Sequence, residues 1–379
     1  MKSLVCLSCI LILAFLISCK RTVLVNDTSQ CDTVVFKYAD HISIVKYSDY
    51  SIVELKDPWK KDMILHRYVL VNREDSANIR NIPEGTLVYI PVISGVVSNS
   101  PHCQLLYWLG VGDAIKGVCD KSFIRLENVR EGLKNGDIAD CGSSMIPAIE
   151  RVIELNPQVI MLSPFENAGY GQIEKIGIPI IECAEYMETS ALGRAEWMKF
   201  YGLLFGCEER ADSLFNVVDS CYNELMVSAG HSRSHGQILT ERKTGSVWYC
   251  PGGRSSMGKL FRDANIEYAF SDDLHSGSLS LSPEVVIDKA GGSDAWLIMS
   301  GSDRPITRRD LLKEYPGYAE IKAFRKGEIY VCYTSKEKYF EEISFRPDFL
   351  LSDLINIFHP DIHLTQGLRY YERLNAGEQ

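Results

Sequence analysis

From Cys207 to Ala229 the chain runs without a proline or a glycine, and its apolar residues fall at Ala211, Leu214, Phe215, Val218, Cys221, Tyr222 and Leu225. That is the i, i+3, i+4 spacing of one amphipathic helix. At 1.5 Å per residue such a helix reaches roughly 34 Å, about the diameter of a small domain. The segments on either side alternate between strand and helix patterns. A single rod in the middle of such a series is expected to join two α/β lobes, each built on a mainly parallel sheet.

The alternation is legible from Thr86 onward. Strands are expected at Leu87–Ile93, Val159–Leu162, Ile178–Glu182, Gln237–Thr240, Val247–Cys250, Trp296–Met299 and Ile329–Tyr333. Helices are expected at about 101–109, 146–155, 191–205, 256–264, 283–290 and 346–358. A weak internal repeat fits two lobes. Pro147 opens a helical stretch carrying Glu150, followed by Asn156-Pro157 and the strand at Val159. Pro283 opens another with Glu284, followed by Gly291-Gly292 and the strand at Trp296. Each acid suits the positive end of a helix dipole, and capping alone accounts for either taken singly. Before the α/β portion, Val34–Phe36, Ile42–Val45 and Tyr68–Val71 read as strands of a β-rich N-terminal extension. The expected organisation is a signal peptide at 1–19, a tether and extension at 20–85, and an N-terminal lobe at 86–206. A bridging helix at 207–229 and a C-terminal lobe at 230–379 complete it.

The first residues bear on location. Leu4 to Ile17 is nearly all apolar but runs only about 14 residues, short of the roughly 20 that span a bilayer. Leu16-Ile17-Ser18-Cys19 closes it with a small residue and a cysteine, the pattern of a bacterial lipoprotein signal. Cleavage before Cys19 and lipidation of its sulfur are expected. They would leave an extracytoplasmic protein (periplasm or cell envelope) anchored to a membrane.

Composition narrows the chemistry. Apolar residues make up 46% of the chain, enough for a sizeable core, and the formal net charge of −10 comes with no basic stripe, which argues against a nucleic-acid partner. Beyond the signal the remaining cysteines are scattered, odd in number and without a C-x-x-C, so buried free thiols are expected rather than a disulfide framework. No H-x-H or H-E-x-x-H spacing occurs, and no metal site or resident cofactor is expected. Gly253-Arg-Ser-Ser-Met-Gly258-Lys259-Leu260 nearly matches a phosphate-binding loop but ends in Leu260 where a hydroxyl must bind magnesium. Gly110-Val-Gly112 ends a helix where a dinucleotide fingerprint would begin one. No G-x-S-x-G and no nucleophile–base pattern is visible, so an enzyme is not expected.

Several runs then resemble one family. Val97-Ser98-Asn99-Ser100-Pro101-His102, followed by Leu105 to Val118, is similar to the start of the N-terminal lobe of iron-siderophore, haem and cobalamin substrate-binding proteins of ABC importers. Ala148 to Ile160 is similar to the next block, Leu192 to Gly206 to the part before the bridging helix, and Lys326-Gly327-Glu328-Ile329-Tyr330 to a late strand. The resemblance covers roughly residues 86–358. It implies two α/β lobes with the ligand between them, and an acid on each lobe that docks onto a permease; by motif these are Glu150 and Glu284. From the family's layout, cleft residues are expected at Ser98, Asn99, Ser100 and His102 on one lobe, with Phe165 and Glu166 after the strand at 159–162. Trp248, Tyr249 and Arg254 are expected on the other. The expected partners are a metal-chelate ligand (ferric siderophore, haem or cobalamin), an ABC permease and the membrane, with the protein a monomer. The alternative is a surface lipoprotein that scavenges or senses a small molecule without a permease.

Overall fold

The structure is a computed structural model that describes residues 32–74, 82–233 and 236–374. The signal segment and Cys19 lie outside the described residues. Among the described residues no helix is long and apolar enough to cross a membrane.

The N-terminal extension is a five-stranded sheet in the order β1-β2-β3-β4-β5: Asp32–Val34, Ile42–Lys46, Ser51–Lys56, Ile64–Asn72 and Thr86–Ile90. The first four strands pair antiparallel and β5 joins β4 in parallel. Alternation in β2 and β3 sends Ile42, Ile44, Val53 and Leu55 to one face, where all four are buried. The strand expected at 87–93 as the first of a lobe is therefore the edge of this extra sheet. Pro91 has no N–H to continue the ladder, and the lobe's own sheet starts later.

The N-terminal lobe is an all-parallel sheet in the order β10-β9-β6-β7-β8. Its strands are β6 (Gly95–Val97), β7 (Ile115–Val118), β8 (Ala139–Asp140), β9 (Val159–Leu162) and β10 (Ile180–Glu182). Parallel strands need crossovers. Three of these carry α1 (Ser100–Trp108), α2 (Glu127–Asn135) and α3 (Ile149–Leu155). The segment expected as one helix over 191–205 is two, α4 (Ala191–Glu196) and α5 (Met198–Leu204). They meet at Trp197, whose indole N–H donates to Glu188 Oε1 at 2.9 Å.

Gly206 then turns the chain with a left-handed φ of 69°, and α6 follows as one 24-residue helix, Glu208–His231. Glu208 and Glu209 lie in its first turn, where the dipole favours them. Ala211, Phe215, Val218 and Tyr222 form its buried stripe, as the spacing predicts.

The C-terminal lobe has a sheet in the order β14-β11-β16-β17-β18: Glu267–Tyr268, Gln237–Thr240, Ala295–Ser300, Ile329–Tyr333 and Tyr371–Arg373. It is parallel except for β18. A small antiparallel sheet, β12 (Lys243–Thr244), β13 (Val247–Pro251) and β15 (Ser278–Leu281), flanks it. The helices here are α7 (Ser256–Asp263), α8 (Pro283–Ala290), α9 (Arg308–Glu314), α10 (Lys322–Lys326), α11 (Tyr339–Glu342) and α12 (Pro347–Phe358). The glycines that mimic a phosphate-binding loop serve packing. A Cβ on Gly253 would meet the carbonyl of Ser271 at 2.4 Å, and one on Gly258 that of Gly252 at 2.5 Å. All eight cysteines among the described residues are free, and six of them are buried.

Candidate functional site

In open α/β sheets, ligands bind beyond the carboxyl ends of the parallel strands. Both lobes present a hollow there. In the N-terminal lobe, Ser98, Asn99, Ser100 and His102 stand at the β6-to-α1 junction and line a hollow of about 300 Å³. Asp120 and Phe123 beyond β7, Ser163 beyond β9, and Glu185 and Tyr186 beyond β10 complete it. Asn99 Nδ2 donates to Ser163 Oγ at 2.7 Å, tying two strand ends together. Ser344, from the C-terminal lobe, also reaches this wall. It arrives on the segment that follows α11, whose Glu341 accepts from the Arg125 backbone N–H at 3.0 Å. The ring of Phe345 lies edgewise to His102, centroids 5.7 Å apart. The two lobes thus touch at one end of the cleft.

In the C-terminal lobe, Thr240 at the end of β11, Glu241 just beyond it and Met299 on β16 line a second hollow of about 360 Å³ with Tyr249, Met257, Tyr339 and Tyr371. Glu241 adopts a left-handed φ of 60°, rare for a residue with a side chain. Its backbone is pinned there by N–H donation to Leu297 O at 2.8 Å and by the Trp296 indole donating to its carbonyl at 2.6 Å. Burial raises its carboxyl from the ordinary 4.5 to about 7. As pH rises through 4.5 the unfolded chain ionises first, while the folded protein holds its proton up to about 7. Stability therefore falls over that window. Glu241→Gln should abolish this decline and raise stability at pH 8 by on the order of 2 kcal/mol, read from denaturant midpoints across pH; an unchanged slope would place the carboxyl in water.

Arg194, on α4, lines neither hollow but contacts both lobes beside them. One of its terminal nitrogens donates to Tyr186 O at 2.7 Å and lies 3.5 Å from Ser256 Oγ in the other lobe. Its Nε is buried without a partner. Burial lowers its pKa from the ordinary value, opposed by Glu185. The cleft thus has a cationic group with an unused donor at its junction. Exposed aromatic rings line the two hollows, Phe123 in one and Tyr249 in the other. A third hollow, between α6 and α12 around Cys221 and Phe349, faces no parallel strand end.

The expected residues separate as follows. Ser98, Asn99, Ser100 and His102 come together on one wall, and Tyr249 lines the other. Trp248 does not: it is fully buried, its indole donates to Thr240 O at 3.0 Å, and it packs against Trp296 and Tyr318. The alternation of β13 turns Trp248 into the core and Tyr249 outward. Phe165 and Glu166 sit on an exposed loop beyond β9, and neither lines either hollow. Arg254 is exposed and also outside both; its backbone N–H donates to His275 O at 3.1 Å. Glu150 and Glu284 are exposed in the first turns of α3 and α8. The backbone and Ser282 hydrogen bonds at the start of α8 hold the Glu284 carboxyl below its ordinary value. Arg194, Glu185, Tyr186 and Glu241 were not anticipated. Glu241 follows directly on an expected strand and could have been found by that rule. Asp120 and Phe123 follow β7, a short strand whose pattern gave no signal.

Comparison with known proteins agrees with this fold. An uncharacterized lipoprotein of Methanocaldococcus jannaschii, MJ0878, is 24% identical over 366 residues, covering 90% of this chain and 86% of that protein. A periplasmic heme binding protein from Pseudomonas aeruginosa superposes with a TM-score of 0.60 at 18% identity, over 76% of this chain and all of the other (100%). An ABC-type Fe3+-hydroxamate transport protein from Saccharomonospora viridis does so with a TM-score of 0.54 at 17% identity, over 70% of this chain and 93% of the other. The family described as periplasmic binding protein matches residues 96–334, more than half of the sequence, and the chain belongs to it.

Proposed function

We propose that this protein is a substrate-binding protein of an ABC importer that captures a metal chelate between its two lobes. The observation that carries the reading is the pair of hollows at opposing strand ends, with the unused Nε of Arg194 set beside them. A flat or compact chelate would bury its apolar surface against Phe123, Tyr249 and Tyr339 and offer a carboxylate or other anionic edge to Arg194. Burying several hundred Å² of apolar surface at about 25 cal/mol per Å² is enough for micromolar affinity after ordering costs. A single helix between the lobes permits small closure rather than a wide hinge. Binding is reversible and involves no covalent step.

The chelate class is a ferric siderophore, haem or cobalamin. The similar structures include a heme binding protein and one named for a ferric hydroxamate system. The proposed division is the N-terminal sheet with its tether, two lobes and the bridging helix, in a monomer. Lipidation at Cys19 would hold it on the outer side of a membrane. Titration of the purified protein with haem, a ferric hydroxamate, a ferric catecholate and cobalamin should give saturable binding with one of them. Binding should weaken in Arg194→Gln. A folded protein that binds none of the four would overturn the reading.

Delivery is separable from capture. Glu150 and Glu284 are exposed on different lobes, and each would meet a basic pocket of the permease. Glu150→Lys and Glu284→Lys should each lower uptake about tenfold or more by like-charge repulsion, with the chelate dissociation constant unchanged. Uptake that survives both reversals would favour a scavenging or sensing lipoprotein without a permease.

A further inference from the structure

We propose that His102, Cys183 and Glu185 form a binding site for a divalent transition metal of the zinc class within the N-terminal lobe. Two of its residues, His102 and Glu185, also line the N-terminal hollow, but the donor set is argued from this lobe's own side chains and does not require a chelate. One donor atom from each of the three residues lies within 4.8 Å of the other two, and all three residues are buried. Among the described residues this is the one such trio of metal-ligating side chains. The donors come from two elements. His102 projects from α1, while Cys183 and Glu185 follow β10. His102 Nε2 lies 3.2 Å from Glu185 Oε1 and 3.0 Å from the Tyr201 hydroxyl, which in turn donates to Glu185 Oε2 at 2.9 Å. Phe345 of the other lobe closes the far side, its ring centroid 5.9 Å from that of Tyr201.

A hydrogen-bonded histidine–glutamate pair accounts for part of this arrangement. It leaves two polar atoms unexplained: His102 Nδ1 and Ser98 Oγ are both buried without a partner, and both residues line the N-terminal hollow. The Cys183 thiol joins the same cluster, in hydrogen-bonding reach of His102 and Tyr201 as well as Ile181 O at 3.7 Å. Imidazole, thiolate and carboxylate together make a donor set that suits zinc, cobalt or nickel and disfavours magnesium and calcium. Three protein ligands with a fourth position open to a hollow is the arrangement of an accessible zinc site rather than a closed structural one. The ion would enter from the hollow that His102 and Glu185 line, draw the three donors inward by up to roughly half an ångström to reach bonding distances of about 2.0–2.3 Å, and displace the thiol proton to solvent.

The probe is cobalt(II) alone, added to the full mature chain after stripping with a strong chelator, in reducing buffer with no siderophore or haem present. One equivalent should bind, with a thiolate-to-cobalt charge-transfer band in the near ultraviolet and visible bands of tetrahedral intensity. Zinc(II) should bleach both. Cys183→Ser should lose the near-ultraviolet band and bind on the order of 100-fold more weakly, whereas Cys221→Ser, altered on the bridging helix, should match the parent. Should Cys183→Ser not fold, Glu185→Gln provides the second arm: it keeps the thiolate band and shifts the visible ones. Absence of a stoichiometric cobalt complex in the parent protein overturns the proposal. So does a charge-transfer band that persists in Cys183→Ser. The cobalt titration contains no chelate, so its result is read separately from the chelate titrations that test the cleft.

Discussion

Glu196→Ala is expected to destabilise the protein by about 3–5 kcal/mol and to loosen the N-terminal sheet from the lobe that carries it. Glu196 is completely buried, and its carboxylate accepts the backbone N–H groups of Lys37 at 2.8 Å, Tyr38 at 2.7 Å and Ala39 at 3.0 Å. Lys199 Nζ donates to the same group at 2.9 Å. Glu188, eight residues earlier and ahead of α4, repeats the device, accepting from the N–H groups of Asp40 and His41. Two acids of the lobe thus hold five consecutive backbone amides of the connection between β1 and β2. Alanine at 196 would strand three amides in the interior, each costing about 1–3 kcal/mol unless water enters. Denaturant unfolding reads the total, and hydrogen exchange at residues 37–39 reads where it arises. A loss below about 1 kcal/mol, with those amides still protected, would mean that the extension is held by its apolar face alone.

This docking explains why the boundary of the extension was hard to read. The bridging helix and the strands Val159–Leu162, Gln237–Thr240 and Ile329–Tyr333 were legible because apolar runs and helical periodicity survive in one sequence. The role of Thr86–Ile90 was not. Its β-rich pattern is the same whether it begins a lobe or closes a neighbouring sheet, and only pairing with Tyr68–Asn72 decides between them. Tyr68 shows the same limit. Its hydroxyl donates to Ile180 O at 3.0 Å and accepts from the Glu182 N–H at 2.8 Å. Those partners stand more than a hundred positions away in the chain. At the cleft, the Ser98–His102 run was visible because a strand-to-helix junction is a local signal. Arg194 and Glu185 were not, since both are placed by the packing of α4 and of the loop after β10. Nothing in their flanking residues separates them from ordinary polar positions.

The misplacement of Trp248 leads to the second large effect. Trp248→Ala should cost about 3–5 kcal/mol, because the indole fills the space between Trp296, 6.0 Å away by ring centroids, and Tyr318 at 5.5 Å. The indole's hydrogen bond to Thr240 O is lost with it. Tyr249→Ala, one position along the strand, removes a ring that is 47% exposed and should change stability by no more than about 0.5 kcal/mol. The order reverses for ligand. Tyr249 lines the C-terminal hollow, and losing it should weaken chelate binding about tenfold, close to 1.4 kcal/mol. Trp248 offers no surface to the cleft, and the folded fraction of Trp248→Ala should bind with the parent's affinity. Unfolding curves and chelate titrations on the two variants form a crossed design. A chelate affinity that falls with Trp248 and not with Tyr249 would put the binding surface on the opposite face of β13 and overturn the assignment of the cleft wall. If both variants lose stability and neither loses affinity, the C-terminal hollow is not where the chelate sits.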